Sequence, residues 1–167
     1  MDYYDSIAEG YDELHGEEQA RKFKVISKHA GLTDRSTMLD VGCGTGLSAV
    51  HLPGRITGID PAKKLLDLAR GRLSNVICGS AEHLPFRTCS FEVVISLTSV
   101  HNFDDADAGI AEIARVASNT VVISILKTSS RYDEMIRSVE VIFKNWLQSK
   151  FTEDQHDAIF IFRRPGR

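Results

Sequence analysis

Three glycines at alternate positions follow a short apolar run, and this arrangement is the strongest local constraint on how the chain can fold. The segment reads Met38-Leu39-Asp40-Val41-Gly42-Cys43-Gly44-Thr45-Gly46. Glycine removes Cβ from a tight turn, so the backbone can approach a ligand and direct its N–H groups toward it. A helix-compatible stretch, Gly46–His51, begins at once. The segment therefore predicts a strand, a ligand-binding loop and a helix in that order.

Apolar runs alternate with stretches of helical periodicity through the first three quarters of the chain. Five runs rich in Val, Ile and Leu are predicted strands: Thr37–Val41, Arg55–Ile59, Asn75–Cys78, Phe91–Leu97 and Thr120–Leu126. The helices predicted between them are Gly46–His51, Ala62–Arg72 and Asp104–Ala117. Strands that are apolar on both faces are typical of a parallel sheet covered by helices on both sides. The pattern therefore predicts a doubly wound α/β sheet.

The pattern changes after the fifth predicted strand. A helix is predicted over Arg131–Ser149, with Ile136, Val139, Phe143 and Trp146 at helical spacing for core packing. A hairpin follows, with arms at Phe151–Thr152 and Asp157–Arg164 and a polar turn at 153–156. Its second arm is apolar throughout Ala158–Phe162, so we expect that arm inside the sheet, not at its edge.

Composition excludes several classes of protein. The 167 residues are 43% apolar, carry a formal net charge of -3 and contain no apolar run long enough to cross a bilayer. Three cysteines without a CxxC pair argue against a disulfide framework and a thiolate zinc site. The aspartates at 104, 105 and 107 are interpreted as helix-start charges, and no metal is expected. With no signal peptide in view, we expect one soluble cytoplasmic domain that neither a membrane nor nucleic acid attracts by overall charge.

A second acidic residue completes the nucleoside-binding pattern. Asp60 lies at the tip of the second predicted strand, directly after Ile59 and 18 residues beyond Gly42, where its two oxygens can accept hydrogen bonds from a ribose diol. A dinucleotide site has GxGxxG spacing, whereas this loop is GxGxG, and Asp40 precedes it by two positions. A carboxylate there repels a pyrophosphate and attracts an ammonium or a sulfonium. S-adenosylmethionine is therefore favoured as the ligand, and a nicotinamide-dependent oxidoreductase remains the alternative.

At this point the chain resembles the class I S-adenosylmethionine-dependent methyltransferases of the small single-domain type. The resemblance runs through the opening YDSIAEGYD, the LDVGCGTG loop, GIDP, AEHLPF, FEVVIS and VHNF. It implies a seven-stranded sheet of order 3-2-1-4-5-7-6, with helices on both faces and an antiparallel last strand. It also implies one methyltransferase domain over 1–167, with a cofactor-covering segment at 1–30, a cofactor-binding core at 37–126 and a C-terminal helix and hairpin at 131–164.

The resemblance also implies a set of cofactor-binding residues. Asp60 would hold the ribose, Pro61 would lie against the adenine, and Tyr11 would cover the cofactor. The family usually has Asp where this chain has Ser80, so the hydrogen bond to the adenine amino group would lack a charge unless Glu82 contributes. The complete set is Tyr11, Asp40, Gly42, Cys43, Gly44, Thr45, Gly46, Asp60, Pro61, Ser80, Ala81, Glu82, Ser96 and Leu97.

Methyl transfer from a sulfonium is an in-line displacement, so positioning is the main catalytic contribution expected of the protein. An acceptor that starts protonated also needs a base. His101 is the candidate, because ligands gather at the carboxyl ends of parallel strands and this residue follows the fourth strand. The residues there are Thr98-Ser99-Val100-His101, not the Asn-Pro-Pro-Tyr of amide- and base-nitrogen methyltransferases. The acceptor is left open as a small metabolite, an RNA or a protein.

The expected partners follow from the expected pocket. A seven-stranded core consumes nearly all 167 residues, which leaves little for a lid. We therefore expect a pocket that admits a bulky acceptor or is completed by a second copy or a small activating subunit. A non-catalytic cofactor-binding subunit of a methyltransferase complex is the alternative to an active enzyme.

Overall fold

The computed structural model describes residues 11–153 and 156–166, and the side chains of 12, 16–149 and 156–166. Five helices and seven strands alternate along most of it. In chain order they are α1 (Tyr11–His29), β1 (Thr37–Val41), α2 (Ser48–His51), β2 (Arg55–Asp60), α3 (Lys63–Ala69), β3 (Asn75–Cys78), β4 (Phe91–Leu97), α4 (Ala106–Val116), β5 (Ala117–Leu126), α5 (Tyr132–Ile142), β6 (Leu147–Glu153) and β7 (Asp157–Arg163). Short 3-10 turns at Ala81–His83 and Val100–Asn102 follow β3 and β4.

The seven strands form one sheet in the order β3-β2-β1-β4-β5-β7-β6, which confirms the predicted order. The pairs among β1 to β5 are parallel, and β7 runs antiparallel to both β5 and β6. The apolar arm β7 is therefore interior, as predicted. Its direction has a consequence for the site: Asp157, the first residue of β7, pairs with Leu126, the last of β5. Asp157 thus lies at the edge of the sheet where the parallel strands end.

Helices cover both faces of the sheet, which confirms the doubly wound arrangement. On one face α4 and α5 bury Ile110, Ile113 and Val139 against the strands. On the other face α1 and α3 bury Ile26 and Leu66. Because both faces are covered, the central strands are apolar along nearly their whole length.

The predicted helix over Arg131–Ser149 is wrong in its second half. The helix α5 ends at Ile142, residues 143–146 form a turn, and Leu147 begins β6. Seven residues, Leu147–Glu153, pair with β7, so the first arm of the hairpin is longer than the predicted Phe151–Thr152. The backbone hydrogen bonds to β7 outweigh the helical spacing of the side chains. Phe143 and Trp146 still serve the core as predicted, since Phe143 stacks on Phe162 with 4.2 Å between ring centroids and meets Trp146 edge to face.

The remaining differences concern helix ends. The predicted helices at Gly46–His51, Ala62–Arg72 and Asp104–Ala117 are shorter in the structure, and Ala117 opens β5. Asp105 caps α4, where its Oδ1 accepts a hydrogen bond from the Ala108 N–H at 3.0 Å. Within the described ranges no cluster of metal-ligating side chains is found. Nor does any described helix have the length and apolar character needed to cross a membrane.

Candidate functional site

The glycine loop after β1 depends on glycine for its conformation. Gly42, Gly44 and Gly46 have φ values of +76°, +53° and +80°, which side chains rarely tolerate. A Cβ on Gly42 would lie 2.5 Å from the Ser99 Cβ, so space also excludes any larger residue there. The N–H groups of Gly42 and Cys43 both donate to the Ile59 carbonyl, at 2.8 and 3.2 Å. The loop is thereby fixed to the end of β2.

Asp60 ties the glycine loop to the start of α3. Its Oδ2 accepts a hydrogen bond from the Gly44 N–H at 2.9 Å, and its Oδ1 accepts one from the Ala62 N–H at 2.8 Å. The side chain is buried. A carboxylate offers about four lone-pair positions and can therefore accept more than these two hydrogen bonds.

Asp40 is the penultimate residue of β1, and its buried carboxyl group has a raised pKa. Its Oδ2 accepts a hydrogen bond from the Ser48 hydroxyl at 2.6 Å. Burial raises the pKa of Asp40 to about 7, the Ser48 bond opposes this rise, and the nearby charge of Asp60 adds to it. The same two carboxyls and burial raise the pKa of the Cys43 thiol, which is therefore protonated and not a nucleophile.

A cleft of about 340 Å³ opens beside the glycine loop at the carboxyl ends of the strands. A narrow second cavity of about 30 Å³ also adjoins the loop, and its lining includes Gln19 and Phe23 of α1. Both cavities are lined by Gly42, Gly44 and Leu97. The cleft is otherwise lined by Ile59, Asp60, Pro61, Ala62, Leu65, Gly79, Ser80, Ala81, Glu82, Thr98, Ser99, Asn102, Phe103 and Asp104.

The structure places most of the predicted cofactor-binding residues on these two cavities. The large cleft has Asp60, Pro61, Ser80, Ala81 and Glu82 on its wall, and the narrow cavity has Asp40, Cys43 and Thr45. Two predicted residues line neither cavity among the described residues. A Cβ on Gly46 would press against Leu73 and Ala69, and Ser96 is buried against Ser99 at 2.6 Å. The side chain of Tyr11 lies outside the described residues.

His101 lies in the 3-10 turn after β4, next to the cleft. Among the described residues the wall of the cleft includes its neighbour Asn102 but not His101 itself. Burial lowers the pKa of His101 below its ordinary 6.5, while the charge of Asp157 opposes this and those of Lys22 and Arg131 reinforce it. The imidazole is therefore neutral at pH 7 and able to accept a proton.

Asp12, near the start of α1, fastens this helix over the glycine loop. The Thr45 hydroxyl donates to Asp12 Oδ1 at 2.5 Å, and the Arg72 guanidinium lies 2.6 Å from Asp12 Oδ2. Arg72 also donates to the Thr45 carbonyl at 3.2 Å. The helix thus covers the narrow cavity. The sequence patterns did not identify Asp12 as a residue that links α1 to the glycine loop.

A largely buried polar cluster, which we call the Lys22 cluster, lies behind Thr98 of the cleft wall and was not predicted. It comprises Lys22, Glu18, Thr98, Ser124 and Asp157. The Lys22 Nζ lies 2.5 Å from Glu18 Oε1, 2.5 Å from Thr98 Oγ1 and 2.6 Å from Asp157 Oδ2. The exposed fractions of Lys22 and Asp157 are 3% and 1%. No local motif marks these residues, because they come from α1, β5, β7 and the end of β4.

The charges on the cleft decide which nucleoside fits it. Asp60, Glu82 and Asp104 line the wall, and no lysine or arginine is among the described residues that do so. A pyrophosphate in the cleft would meet only like charge, whereas a cationic amino-acid end that reached the adjoining narrow cavity would meet Asp40. Ile59, Pro61, Ala62, Leu65 and Phe103 supply apolar surface for a flat base. The residues therefore fit S-adenosylmethionine and do not fit a dinucleotide.

Comparison with known proteins supports the same ligand. The family model described as "Methyltransferase domain" matches residues 39–125. The chain is 28% identical over 153 residues to the uncharacterized protein MJ1252 of Methanocaldococcus jannaschii, covering 90% of this chain and 57% of that protein. It is 39% identical over 85 residues to the demethylmenaquinone methyltransferase of Chlorobaculum tepidum, covering 47% of this chain and 35% of that one. The chain therefore spans about half the length, or less, of these relatives.

Two solved structures share the fold. One is the complex between the Haloferax volcanii Trm112 methyltransferase activator and the putative methyltransferase, with a TM-score of 0.78, 16% identity and 98% of both chains covered. The other is the magnesium protoporphyrin IX methyltransferase of Synechocystis PCC 6803 with bound S-adenosylmethionine. Its TM-score is 0.70 at 16% identity, covering 90% of this chain and 80% of that one.

Proposed function

The chain belongs to the methyltransferase domain family of class I S-adenosylmethionine-dependent enzymes, and from this premise we propose that it transfers a methyl group to an acceptor that binds at the Thr98 end of its cleft. The observation that carries the proposal is the pairing of two buried carboxyls with one glycine loop. Asp60 accepts from the Gly44 N–H and would face the ribose, and Asp40 accepts from the Ser48 hydroxyl and would face the amino-acid end. This charge distribution fits a cationic nucleoside.

Different residues of the cleft would contact different parts of the cofactor. Asp60 would hold the ribose hydroxyls, Pro61 and Phe103 would pack on the adenine, and Ser80 would accept from its amino group. When bound, the cofactor supplies a methyl group on a sulfonium that a nucleophile can displace in line. The contribution of this chain is then to position the two reactants and exclude water. His101, which is neutral at pH 7, is proposed to take the acceptor's proton, directly or through one water.

Two measurements on the purified chain test this proposal. Isothermal titration calorimetry should show binding of S-adenosylmethionine and no binding of NADH. Tritium from labelled cofactor should then enter one class of molecule in a fractionated lysate, which identifies the acceptor as a metabolite, RNA or protein. No binding of S-adenosylmethionine would refute the proposal. Binding without label transfer to any fraction would favour the non-catalytic subunit.

The affinity for S-adenosylmethionine is expected to depend on pH through Asp40. The pKa of this carboxyl is about 7, and a cationic ligand binds its ionised form. Affinity should therefore rise about tenfold per pH unit up to pH 7 and level off above it, with about half a proton released on binding at pH 7. Calorimetry in buffers of different ionisation enthalpy measures both quantities.

A matched pair of variants tests whether Asp40 causes this pH dependence. Asp40→Asn should bind more weakly with little change of affinity between pH 5 and 7. Asp104→Asn removes an exposed carboxyl from the cleft wall and should keep the wild-type pH profile. An unchanged profile in Asp40→Asn would contradict the role given to this residue.

An activating subunit is the second part of the proposal. It is supported by the fold shared with the methyltransferase from the Trm112 complex, which covers 98% of both chains. We expect the chain, coexpressed with a Trm112-type protein of its own organism, to elute as a one-to-one complex in size-exclusion chromatography with light scattering. A mass of two copies of the chain would support a homodimer instead, and separate elution at micromolar concentration would argue against the activator.

A further inference from the structure

Thr98 combines an unusual backbone conformation with a position on the cleft wall. Its φ is +52°, and a β-branched residue in this left-handed region is a true outlier. Its side chain is half-buried and lines the cleft, directly after the end of β4. A strained conformation of this kind persists only where neighbouring contacts enforce it, and it is found preferentially at functional sites.

Those contacts come from two neighbours behind the cleft wall. The Thr98 N–H donates to the Ser124 Oγ at 2.8 Å, and the two hydroxyl oxygens lie 3.2 Å apart. The Lys22 ammonium donates to Thr98 Oγ1 at 2.5 Å. Lys22 also forms ion pairs with Glu18 and Asp157. Moving its ammonium away from Thr98 would leave the buried carboxylate of Asp157 without its cationic partner.

Counting donors and acceptors fixes the direction of the hydrogen bond between Lys22 and Thr98. A threonine hydroxyl has two acceptor positions and one proton. An ammonium can only donate, so Lys22 occupies one acceptor position of Thr98 Oγ1. The Ser124 oxygen accepts from the Thr98 N–H, and either hydroxyl of the Thr98–Ser124 pair could donate to the other. When the Ser124 hydroxyl is the donor, the hydroxyl proton of Thr98 remains for a group in the cleft.

We propose that Thr98 contacts the methyl acceptor, donating its hydroxyl proton to a lone pair beside the atom that is methylated, and that Lys22 and Ser124 position it. This inference rests on the proposed function. It assigns Thr98 a direct contact with substrate and makes Lys22 and Ser124 positioning residues.

The charges behind Thr98 limit the class of acceptor. Two carboxyls, from Glu18 and Asp157, surround the single ammonium of Lys22. The cluster therefore has no surplus positive charge to attract an anion, and the described part of the cleft wall carries no basic residue. A carboxylate or phosphate at this position is disfavoured. The acceptor fits best when it presents an uncharged carbonyl or hydroxyl oxygen, or an uncharged nitrogen, next to its nucleophile.

Three variants test the contact on the full chain. Thr98→Ser keeps the hydroxyl, Thr98→Val removes it at equal size, and Thr128→Val removes an exposed hydroxyl after β5 as a control. Transfer is measured on the acceptor class that the labelling experiment identifies. We expect Thr98→Val to raise the acceptor KM about tenfold while the Kd for S-adenosylmethionine changes less than about twofold. Thr98→Ser and Thr128→Val should stay within about threefold of the wild type.

A second readout needs no acceptor. A buried, hydrogen-bonded lysine ammonium exchanges slowly with water and is visible by ¹⁵N nuclear magnetic resonance. The Lys22 signal should persist in Thr98→Ser and shift or broaden in Thr98→Val.

Specific outcomes overturn the inference. An acceptor KM in Thr98→Val equal to that in Thr98→Ser would do so, and so would a Lys22 signal that does not respond to Thr98→Val. A parallel loss of cofactor affinity would make Thr98 part of the cofactor site instead. Failure of the proposed function shows already in the wild type, as absent cofactor binding or label transfer, and the inference falls with it.

Discussion

Replacing Asp60 by alanine is expected to weaken the binding of S-adenosylmethionine at least about 100-fold. The substitution removes the acceptor for two N–H groups, those of Gly44 and Ala62, and each buried donor left without a partner costs about 1–3 kcal/mol. It also removes the group proposed to hold the ribose. The glycine loop loses its tie to α3 in the same step, so the loss of affinity combines a missing contact with a less ordered loop. Calorimetry measures the effect.

The control for Asp60→Ala is a carboxyl of the same type on the adjacent helix. Asp67 lies on α3, its side chain is 64% exposed, and its only ion pair in the described structure is with Arg70 in the next turn. Asp67→Ala should bind the cofactor as the wild type does, since an exposed ion pair contributes little. Thermal unfolding of both variants separates local from global effects. If Asp60→Ala folded normally and kept its affinity, the cleft beside Asp60 would not be the cofactor site.

The fold was predictable because its signals are local. Each strand of the parallel part contains Val, Ile or Leu between its end residues, and glycine marks the turn after β1. The end of α5 was not predictable in the same way, because the apolar residues of 143–147 continue the helical spacing although the chain has turned toward β6. Only the partner strand β7, which pairs with Leu147–Glu153, decides this boundary.

The candidate site also combines residues that local sequence patterns identify with residues that only long-range contacts bring together. The glycine loop and Asp60 are recognised by spacing within one βαβ unit, so sequence alone finds them. Thr98 and Lys22 are 76 positions apart, and Asp157 comes from the antiparallel strand at the far end of the chain. Only the sheet order brings these three residues together. The proposed acceptor side is thus built from long-range contacts, which residue spacing does not reveal.

Replacing Lys22 by methionine is expected to lower the free energy of unfolding by about 3–5 kcal/mol. The substitution leaves Asp157, whose exposed fraction is 1%, without its cationic partner. It also frees Thr98 from one of the contacts that hold its left-handed backbone. Urea denaturation followed by circular dichroism measures the loss. Lys24→Met, which removes an exposed lysine from the same helix, should change the stability by less than about 0.5 kcal/mol.

The pH dependence of this loss shows whether Asp157 causes it. Burial raises the pKa of Asp157 above 3.8, and Lys22 opposes that rise, so the pKa goes higher still without the lysine. A carboxyl whose pKa is higher in the folded than in the unfolded state stabilises the fold at low pH, and this contribution is lost as the pH rises through the folded pKa. The stability gap between Lys22→Met and wild type should therefore narrow as the pH falls from 7 toward 4. Adding Asp157→Asn to the Lys22→Met variant should narrow the stability gap to wild type at pH 7 and abolish the pH dependence of that gap. A gap that is constant with pH would mean that lost packing, not the unpaired carboxylate, destabilises the variant.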